Sequence, residues 1–368
     1  MIERQKMRLL VNPFRDPEAE FIPLNPAVSA FHRSVDGYAP TPLVMLSGLA
    51  DELGIARVYL KDESHRFGLG AFKSLGASWA LHRLMEDGVT PQVVSTASAG
   101  NHGRGLAWAA RRSGIKAVVF MSDSTADVRI ALIRGEGARV VVVPGSYDDA
   151  VEQCAAVSQR EGWQVVSDVG YDGYDVIPRW VGEGYGTIID EVAAQLSESN
   201  LAPPNLVVVQ GGVGCLASAV LSHTGVLGPR PCTVVVEPEE ADCLLSSAAT
   251  ADGSAAPSMG SQVTTMVGLN CRLPSTTAWP VIRQHTDVFL SVSDDEVHGM
   301  MDQLATPQHG DPPVASGSSG AAGVAGLAAL CLDPEFLLGR EAVGLTSETR
   351  ALVFSTEGPI DAKFLDAP

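Results

Sequence analysis

The sequence predicts an α/β protein whose parallel sheets are flanked by helices. Short apolar runs of strand length recur along the 368 residues, and turns rich in Gly, Pro or polar residues separate them. Amphipathic stretches of roughly 10–15 residues, such as 73–87, 103–112 and 148–161, lie between most of these runs. Regular alternation of strand and helix is typical of parallel sheets that helices cover on both faces.

The predicted strands extend from residue 56 to residue 355, after an irregular start between Pro13 and Pro42. In order they are residues 56–60, 92–96, 117–121, 139–143, 164–166, 206–210, 233–237, 288–292 and 352–355. Residues 197–204, Ser-Glu-Ser-Asn-Leu-Ala-Pro-Pro, break a predicted helix before the strand at 206 and indicate a linker. Residues 250–261, rich in Ala, Gly and Ser, predict a surface loop.

Length and composition are those of a globular protein with enough chain for two domains. Hydrophobic residues make up 45% and charged residues 18%, which excludes the disordered class. The net charge of −18 argues against binding to nucleic acid or to an anionic membrane surface. No apolar run approaches the roughly 18 residues of a membrane span. The charged N-terminal residues lack the apolar core of a signal peptide, so we expect a cytoplasmic protein.

The six cysteines are scattered and predict no metal site. They contain no Cys-x-x-Cys pair, and a zinc site needs ligands at closer spacing. Free thiols are the expectation in a reducing compartment. The sequence leaves open whether Cys243 and Cys271 form a disulfide.

A glycine-rich turn precedes Lys73, and this lysine opens a predicted helix. Residues 68–76 read Gly-Leu-Gly-Ala-Phe-Lys-Ser-Leu-Gly. A lysine at a helix start beside a buried cofactor can lose its proton and form a Schiff base with a carbonyl compound. Taken by itself, the motif fits a surface lysine at the start of a helix better than a cofactor-binding lysine.

Two more turns of small residues join a predicted strand to a predicted helix. They are residues 98–103, Ser-Ala-Gly-Asn-His-Gly, and residues 210–215, Gln-Gly-Gly-Val-Gly-Cys. Small side chains let backbone N–H groups approach an anion at a helix N-terminus. Asn101 offers an amide that can bind a phenolic oxygen. The alternatives are ordinary strand–helix turns with Asn101 as a cap, and the second turn departs from the dinucleotide pattern Gly-x-Gly-x-x-Gly.

The last predicted strand ends in Ser355-Thr356-Glu357-Gly358. A hydroxyl at this end of a parallel sheet can bind the nitrogen of a pyridine ring, whereas the other explanation is a simple turn.

Taken in this order, the motifs resemble those of the fold-type II pyridoxal-phosphate enzymes, the fold family of the tryptophan synthase β subunit. Within that family the chain is most similar to the diaminopropionate ammonia-lyases. The resemblance extends from about residue 31 to residue 361. The motifs that carry it lie at residues 66–73, 100–108, 177–180, 236–243, 268–271 and 355–358.

The resemblance implies a cofactor, pyridoxal 5′-phosphate, held as an internal aldimine on Lys73. It places Phe72 and Asn101 against the ring and its phenolic oxygen, and Ser355 or Thr356 opposite the pyridine nitrogen. A neutral hydroxyl there leaves the nitrogen largely unprotonated, which suits an elimination. The residues implied to hold the phosphate are Gly211, Gly212, Val213, Gly214 and Cys215.

The resemblance also implies catalytic and substrate-binding residues. Asp168, in Ser-Asp-Val-Gly-Tyr, matches an acid/base carboxylate of the lyases. Lys73 is expected to take the α-proton, and Asp168 to protonate the departing β-group or to orient the water that does. The residues expected to line the substrate are Ser98, Ala99, Gly100 and His102.

Three departures from the lyase pattern leave the substrate open. Ala99 replaces an Asp, Ser318 replaces a Glu, and residues 359–361 read Pro-Ile-Asp in place of Asp-Thr-Asp. The expected activity is α,β-elimination of ammonia from 2,3-diaminopropionate to give a 2-oxo acid. The alternatives are β-elimination or β-replacement on another amino acid in a specialised pathway, and a relative that binds the cofactor without turnover.

The resemblance finally implies a two-domain organisation and a homodimer. Residues 1–90 and 203–368 form the large cofactor-binding domain, and residues 91–197 form a small domain that moves to close the cleft. The break at 197–204 supports this division directly.

Overall fold

The computed structural model describes residues 8–98 and 100–359. Its strands are β1 (Leu9–Val11), β2 (Leu43–Met45), β3 (Arg57–Asp62), β4 (Val93–Ala97), β5 (Lys116–Ser122), β6 (Arg139–Val143), β7 (Gln164–Val165), β8 (Leu206–Gln210), β9 (Cys232–Pro238), β10 (Val288–Val292) and β11 (Arg350–Ser355). All nine predicted strands are present. The short edge strands β1 and β2 were not predicted, because three residues are too few for an alternating pattern.

The α-helices cover the sheets and join successive strands. They are α1 (Pro26–Ser34), α2 (Ser47–Leu53), α3 (Lys73–Glu86), α4 (Asn101–Arg112), α5 (Asp127–Gly135), α6 (Tyr147–Glu161), α7 (Val176–Gly184), α8 (Gly186–Glu198), α9 (Cys215–His223), α10 (Cys243–Ala248), α11 (Trp279–His285), α12 (Asp294–Ala305), α13 (Ser318–Leu332) and α14 (Leu337–Ala342). Short 3-10 turns lie at Glu63–Gly68, Thr224–Leu227, Val267–Leu269 and Pro334–Phe336.

The strands form two sheets that are parallel except at two edges. The larger sheet has the order β1-β10-β9-β8-β11-β3-β2, and the smaller has the order β6-β5-β4-β7. Only β1 and β2 run antiparallel to their neighbours among the described strands. Every residue of β8 and β10 is buried, as expected for strands covered on both faces. The structure confirms the predicted α/β class.

The two sheets use different parts of the chain. The smaller sheet takes its strands from residues 93–165, and the larger takes them from residues 9–62 and 206–355. Helices α3 and α4 pack closely where the two regions meet, because Gly105 has no side chain and a Cβ there would lie 2.9 Å from the backbone nitrogen of Ser74. The exact boundaries and the movement of the small domain stay predictions.

No single helix within residues 8–98 and 100–359 is long and apolar enough to cross a membrane. In the same ranges, one pair of helices meets the length and composition test together, 318–332 with 334–342, and it is bent by 85°.

Candidate active site

Three helices begin close together at the carboxyl ends of the parallel strands. Helix α3 begins at Lys73, α4 begins at Asn101 after β4, and α9 begins at Cys215 after β8. The end of β11 joins them, since the backbone N–H of Gly358 donates to the carbonyl of Gly70 at 2.8 Å. The predicted motifs therefore meet in one cleft, at the position where ligands bind in parallel α/β sheets.

Lys73 and Asp168 form an ion pair in this cleft. The lysine Nζ lies 2.5 Å from Oδ2 of Asp168, and the two side chains are 17% and 12% exposed. Burial lowers the pKa of Lys73, but the carboxylate of Asp168 outweighs burial and leaves the lysine pKa raised. Burial raises the pKa of Asp168, and the positive charges of His102 and Lys73 outweigh it and hold the pKa well below its usual range.

His102 lies on the other side of Asp168. Its Nε2 is 2.9 Å from the carbonyl oxygen of Val166, and its Nδ1 is 3.9 Å from Oδ2 of Asp168. The imidazole is buried, and Nδ1 has no hydrogen-bond partner among the described residues. The sequence predicted a substrate contact for His102, and the structure places its ring beside the carboxylate of Asp168.

Phe72 and Asn101 have different partners in the cleft. The Phe72 ring meets Tyr185 edge-on with centroids 4.7 Å apart, and Lys73 Nζ lies 5.1 Å from the Phe72 centroid. The amide of Asn101 donates to Oε2 of Glu357, a buried carboxylate. Glu357 and Tyr185 were missed as site residues. Glu357 stood within a quoted motif, but nothing in one sequence indicated that its side chain points toward Asn101.

The turn before α4 is held by Ser98, whose Oγ accepts hydrogen bonds from the N–H groups of Gly100 and Gly103. Gly100 leaves room for the guanidinium of Arg129, since a Cβ at Gly100 would lie 2.5 Å from Nη1. Ala99 lies outside the described residues.

The Gly211–Cys215 turn is packed so tightly that side chains are excluded. A Cβ at Gly211 would lie 2.5 Å from Leu244, and one at Gly212 would lie 3.0 Å from the sulfur of Cys271. Gly214 has a φ of +95°, a conformation that favours glycine. Within the described chain, the N–H groups of Gly212 and Gly214 donate to no acceptor. Such N–H groups at the start of a helix suit a phosphate.

Both hydroxyls at the end of β11 are buried and engaged with the protein. Ser355 Oγ donates to Ser316 Oγ at 2.9 Å. Thr356 Oγ1 accepts from Nε2 of Gln210 at 3.1 Å. Thr356 Oγ1 also donates to the carbonyl of Ser319 at 3.4 Å. The hydrogen of each hydroxyl is therefore donated to a protein acceptor, and the capacity that remains on each oxygen is to accept a hydrogen bond.

The residues present fit pyridoxal phosphate. Three buried polar atoms near Lys73 have no partner in the described structure, namely Ser74 Oγ, His102 Nδ1 and Tyr185 Oη. Buried polar atoms are seldom unpaired, so a polar ligand is expected beside them. A lysine amine for an aldehyde and free backbone N–H groups for a phosphate complete the set of groups that this cofactor needs.

A cavity of about 330 Å³ opens beside Asn101, lined also by Gly70, Arg104 and Gly358. This volume suits a small ligand. The six cysteines are all free thiols, so Cys243 and Cys271 are not joined. No group of three or more His, Cys, Asp or Glu residues in the described ranges is arranged to hold a metal ion.

The chain is similar to known proteins over most of its length. Residues 35–340 match the family described as pyridoxal-phosphate dependent enzyme. The chain is 37% identical to diaminopropionate ammonia-lyase of Salmonella typhimurium over 355 residues, covering 90% of this chain and 88% of that protein. The Escherichia coli (strain K12) protein of the same name is 36% identical over 352 residues, with the same coverage.

The crystal structure of the Escherichia coli enzyme in complex with an aminoacrylate-PLP azomethine reaction intermediate is also similar. It superposes with a TM-score of 0.88 at 35% identity, covering 96% of this chain and 94% of that one.

Proposed function

Because this chain belongs to the pyridoxal-phosphate dependent enzymes, we propose that it removes ammonia from 2,3-diaminopropionate by α,β-elimination to give a 2-oxo acid. The two ammonia-lyases to which it is similar over 90% of its length support this substrate. The single structural observation that carries the reaction class is the pairing of Lys73 Nζ with Asp168 at 2.5 Å. An elimination needs one group to remove a proton and another to protonate the leaving nitrogen, and these two can divide that work.

Bound pyridoxal phosphate supplies the electron sink for the electron pair left at the α-carbon when its proton departs. Lys73 Nζ, once free as an amine, takes the α-proton. Asp168 is ionised beside Lys73, so it passes to the departing β-nitrogen a proton that it accepts from the lysine ammonium, and its burial keeps bulk water from that position. The geometry favours both proton transfers, because the amine and the carboxylate already lie within hydrogen-bond distance of each other.

The remaining site residues bind and orient. We assign the phosphate to the turn from Gly211 to Cys215, whose N–H groups at Gly212 and Gly214 are unpaired in the described chain. We assign the ring to Phe72 and Asn101, and the pyridine nitrogen to Ser355 or Thr356. The residues proposed to hold the substrate carboxylate at the start of α4 are Ser98, Ala99, Gly100 and His102.

A different β-substituted amino acid is the second candidate substrate. Two of the three departures, Ala99 and residues 360–361, fall outside the described residues. At the third departure, Ser318 stands in place of a Glu and so supplies no carboxylate to the cleft. Its Oγ donates to the carbonyl of Thr265 at 2.6 Å. Fewer carboxylates weaken the case for a substrate that carries a second ammonium group. Retention of Lys73, Asn101 and Asp168 argues against a relative without turnover.

We also propose that the protein works in the cytoplasm, as a homodimer, with a mobile domain of residues 91–197. Six free thiols support a reducing compartment. Asp168 belongs to the mobile segment and Lys73 to the large one, so movement would make and break their contact.

The test is an absorbance scan of the cofactor-loaded protein during addition of L-2,3-diaminopropionate, with pyruvate assayed in the same cuvette. We expect the cofactor band to shift and pyruvate to accumulate. A shift without pyruvate would reject this substrate, and a panel of other β-substituted amino acids would then identify the alternative. Absence of any lysine-bound cofactor band would reject the site itself.

A further inference from the structure

The phenol of Tyr185 is completely buried, and its hydroxyl has no hydrogen-bond partner. The residue directly follows α7, and its side chain is 0% exposed. Within residues 8–98 and 100–359, its Oη neither donates nor accepts a hydrogen bond. A buried hydroxyl without a partner costs free energy and is rare in folded proteins. This atom is therefore expected to bind a ligand.

The fold directs this hydroxyl toward the start of α9. Tyr185 continues α7 with helical backbone angles, so its side chain lies on the same face as Gly182, three residues earlier. Side chains of a helix tilt toward its N-terminus, so the Tyr185 ring leans back over Gly182. A Cβ at Gly182 would lie 3.7 Å from the sulfur of Cys215, the first residue of α9. The electrostatic influence of Cys215 on the phenol agrees with this placement.

Packing holds the Tyr185 ring beside the cleft lysine. A Cβ at Gly76 would lie 2.7 Å from Cε1 of the ring, so α3 approaches the ring this closely only because residue 76 is a glycine. The ring meets Phe72 edge-on with centroids 4.7 Å apart. Lys73 Nζ lies 5.9 Å from the Tyr185 centroid. The phenol thus lies between the lysine and the first turn of α9.

The turn assigned to the phosphate supplies hydrogen-bond donors but no cation. The N–H groups of Gly212 and Gly214 donate to no acceptor in the part of the chain described. Among the described atoms nearest to Gly211, Gly212 and Gly214, none belongs to a lysine or an arginine. A phosphate monoester carries nearly two negative charges and three strong acceptor oxygens at pH 7. Further donors beside the turn would stabilise it.

A neutral phenol can be such a donor. Burial raises the pKa of Tyr185 well above its ordinary value, so the hydroxyl keeps its hydrogen near pH 7. Phosphate oxygens accept this hydrogen without a change in charge on the protein. In the proposed site Lys73 takes the aldehyde, Asn101 takes the phenolic oxygen and the end of β11 takes the pyridine nitrogen. The phosphate is the acceptor that remains for Tyr185.

We propose that Tyr185 is a cofactor-binding residue whose Oη donates a hydrogen bond to the phosphate of pyridoxal phosphate at the start of α9. The proposal rests on the assignment of the phosphate to residues 211–215 in the proposed function. The hydroxyl stabilises the bound phosphate and no other part of the cofactor. It therefore distinguishes pyridoxal phosphate from pyridoxal, which lacks the phosphate.

The test is an equilibrium titration of the cofactor-free protein with each of these two aldehydes, followed by the absorbance of the lysine-bound form. Tyr185→Phe removes only the hydroxyl. We expect it to weaken affinity for pyridoxal phosphate by about 10- to 100-fold, as for a lost hydrogen bond to a charged group. Affinity for pyridoxal should stay unchanged. Equal losses for both aldehydes, or no loss for either, would overturn the proposal.

The stability of the cofactor-free protein gives a second readout. Loss of an unpaired hydroxyl leaves no protein group without its partner, so Tyr185→Phe should not lower Tm. The matched control is Tyr59→Phe, because Tyr59 is equally buried but its Oη donates to the carbonyl of Ala202 at 2.8 Å. The control should lower Tm and keep both affinities. An equal fall of Tm in both variants would show that the protein itself satisfies the Tyr185 hydroxyl, and the proposal would be wrong.

Neither measurement uses substrate or turnover. If the unmodified enzyme releases no pyruvate from diaminopropionate, the proposed reaction fails, and the titrations still decide the role of Tyr185. If the unmodified protein binds pyridoxal as tightly as pyridoxal phosphate, the phosphate site at residues 211–215 and the role of Tyr185 fail together.

Discussion

Two lysines pair with carboxylates in the interior of this protein, Lys61 fully buried and Lys73 largely so, and their surroundings separate a structural cluster from a functional one. The structural cluster consists of Lys61, Glu63, Arg66 and Glu191. The side chain of Lys61 is completely buried, and its Nζ donates to the carbonyl of Thr41 at 2.8 Å, to Glu191 at 2.7 Å and to Gln195 at 3.0 Å. All three hydrogens of the ammonium group are satisfied.

Arg66 completes the structural cluster by joining its two carboxylates. The guanidinium donates to both oxygens of Glu63 at 2.9 and 2.8 Å. It also donates to both oxygens of Glu191 at 2.7 and 2.8 Å. Two cations and two carboxylates thus neutralise one another, and no hydrogen-bonding capacity is left for a ligand. The cluster fixes β3 and the turn after it against α8.

The cleft cluster, Lys73 with Asp168 and His102, has the opposite character. Within the described residues Lys73 Nζ donates to Asp168 alone. Unpaired atoms lie close by on His102, Ser74 and Tyr185. A buried ion pair therefore does not mark a functional site. A functional site is indicated by polar atoms beside the pair that lack a hydrogen-bond partner, because a ligand can bind to them.

The largest difference between the two clusters should appear when each lysine is replaced separately. Lys73→Ala should abolish the lysine-bound cofactor absorbance and lower turnover by at least about 10³-fold, since the amine that takes the α-proton is lost. Lys61→Met should instead destabilise the fold by about 3–5 kcal/mol, because it leaves part of Glu191 unpaired. Absorbance spectra and turnover rates of both variants measure the catalytic loss, and urea unfolding of both measures the loss of stability. Comparable turnover losses per folded molecule would remove the distinction between the clusters.

Asp168→Asn should have the next largest effect. The amide keeps the size of the side chain but cannot supply a proton of the same acidity, so we expect turnover to fall by about 10²–10³-fold. The cofactor should still bind to Lys73, and the absorbance spectrum checks this. An equal loss of cofactor binding and turnover would indicate that Asp168 only shapes the cleft.

The structural cluster should make the free energy of unfolding depend on pH in acid. Burial raises the pKa of Glu191, but its bonds to Arg66 and Lys61 outweigh burial and lower the pKa from 4.5 to about 2. A depressed pKa contributes stability that is complete above the ordinary pKa and is lost as pH falls through the folded one. We expect that contribution to disappear between about pH 4.5 and 2. Urea unfolding across this range should show a flatter dependence in Glu191→Gln, and an unchanged slope would contradict the assignment.

The smallest effect is expected at the glycine turn. Gly214→Ala forces a side chain into a φ of +95° and against Ile282. Strain of about 1–3 kcal/mol should weaken cofactor affinity by about 10- to 100-fold, as measured by equilibrium titration. The matched control is Gly299→Ala in α12, where a Cβ would meet no atom within 4 Å. The control should keep its cofactor affinity. Equal losses of affinity in both variants would show that the turn from Gly211 to Cys215 does not bind the cofactor.

Much of the architecture could be read from the sequence because local patterns encode it. The strands predicted at 206–210 and 288–292 have the same bounds as β8 and β10. The helix predicted from Lys73 begins at that residue. The predicted start of α4 at residue 103 was two residues late, since Asn101 and His102 lie inside the helix rather than before it. Buried strands and helices carry their own periodicity, whereas a cap depends on which backbone groups need a partner.

Local patterns in the sequence identify the lysine, the three turns of small residues and the alternation that sets them at one end of a parallel sheet. The folded chain was needed to see that Asp168 meets Lys73 across 95 positions of chain, that Glu357 binds Asn101, and that Lys61 has a full set of hydrogen bonds while His102 does not. The physical reason is that local pattern reports which face of an element is buried. Pairing between distant side chains depends on how helices such as α3 and α4 pack, and that packing is a property of the whole fold.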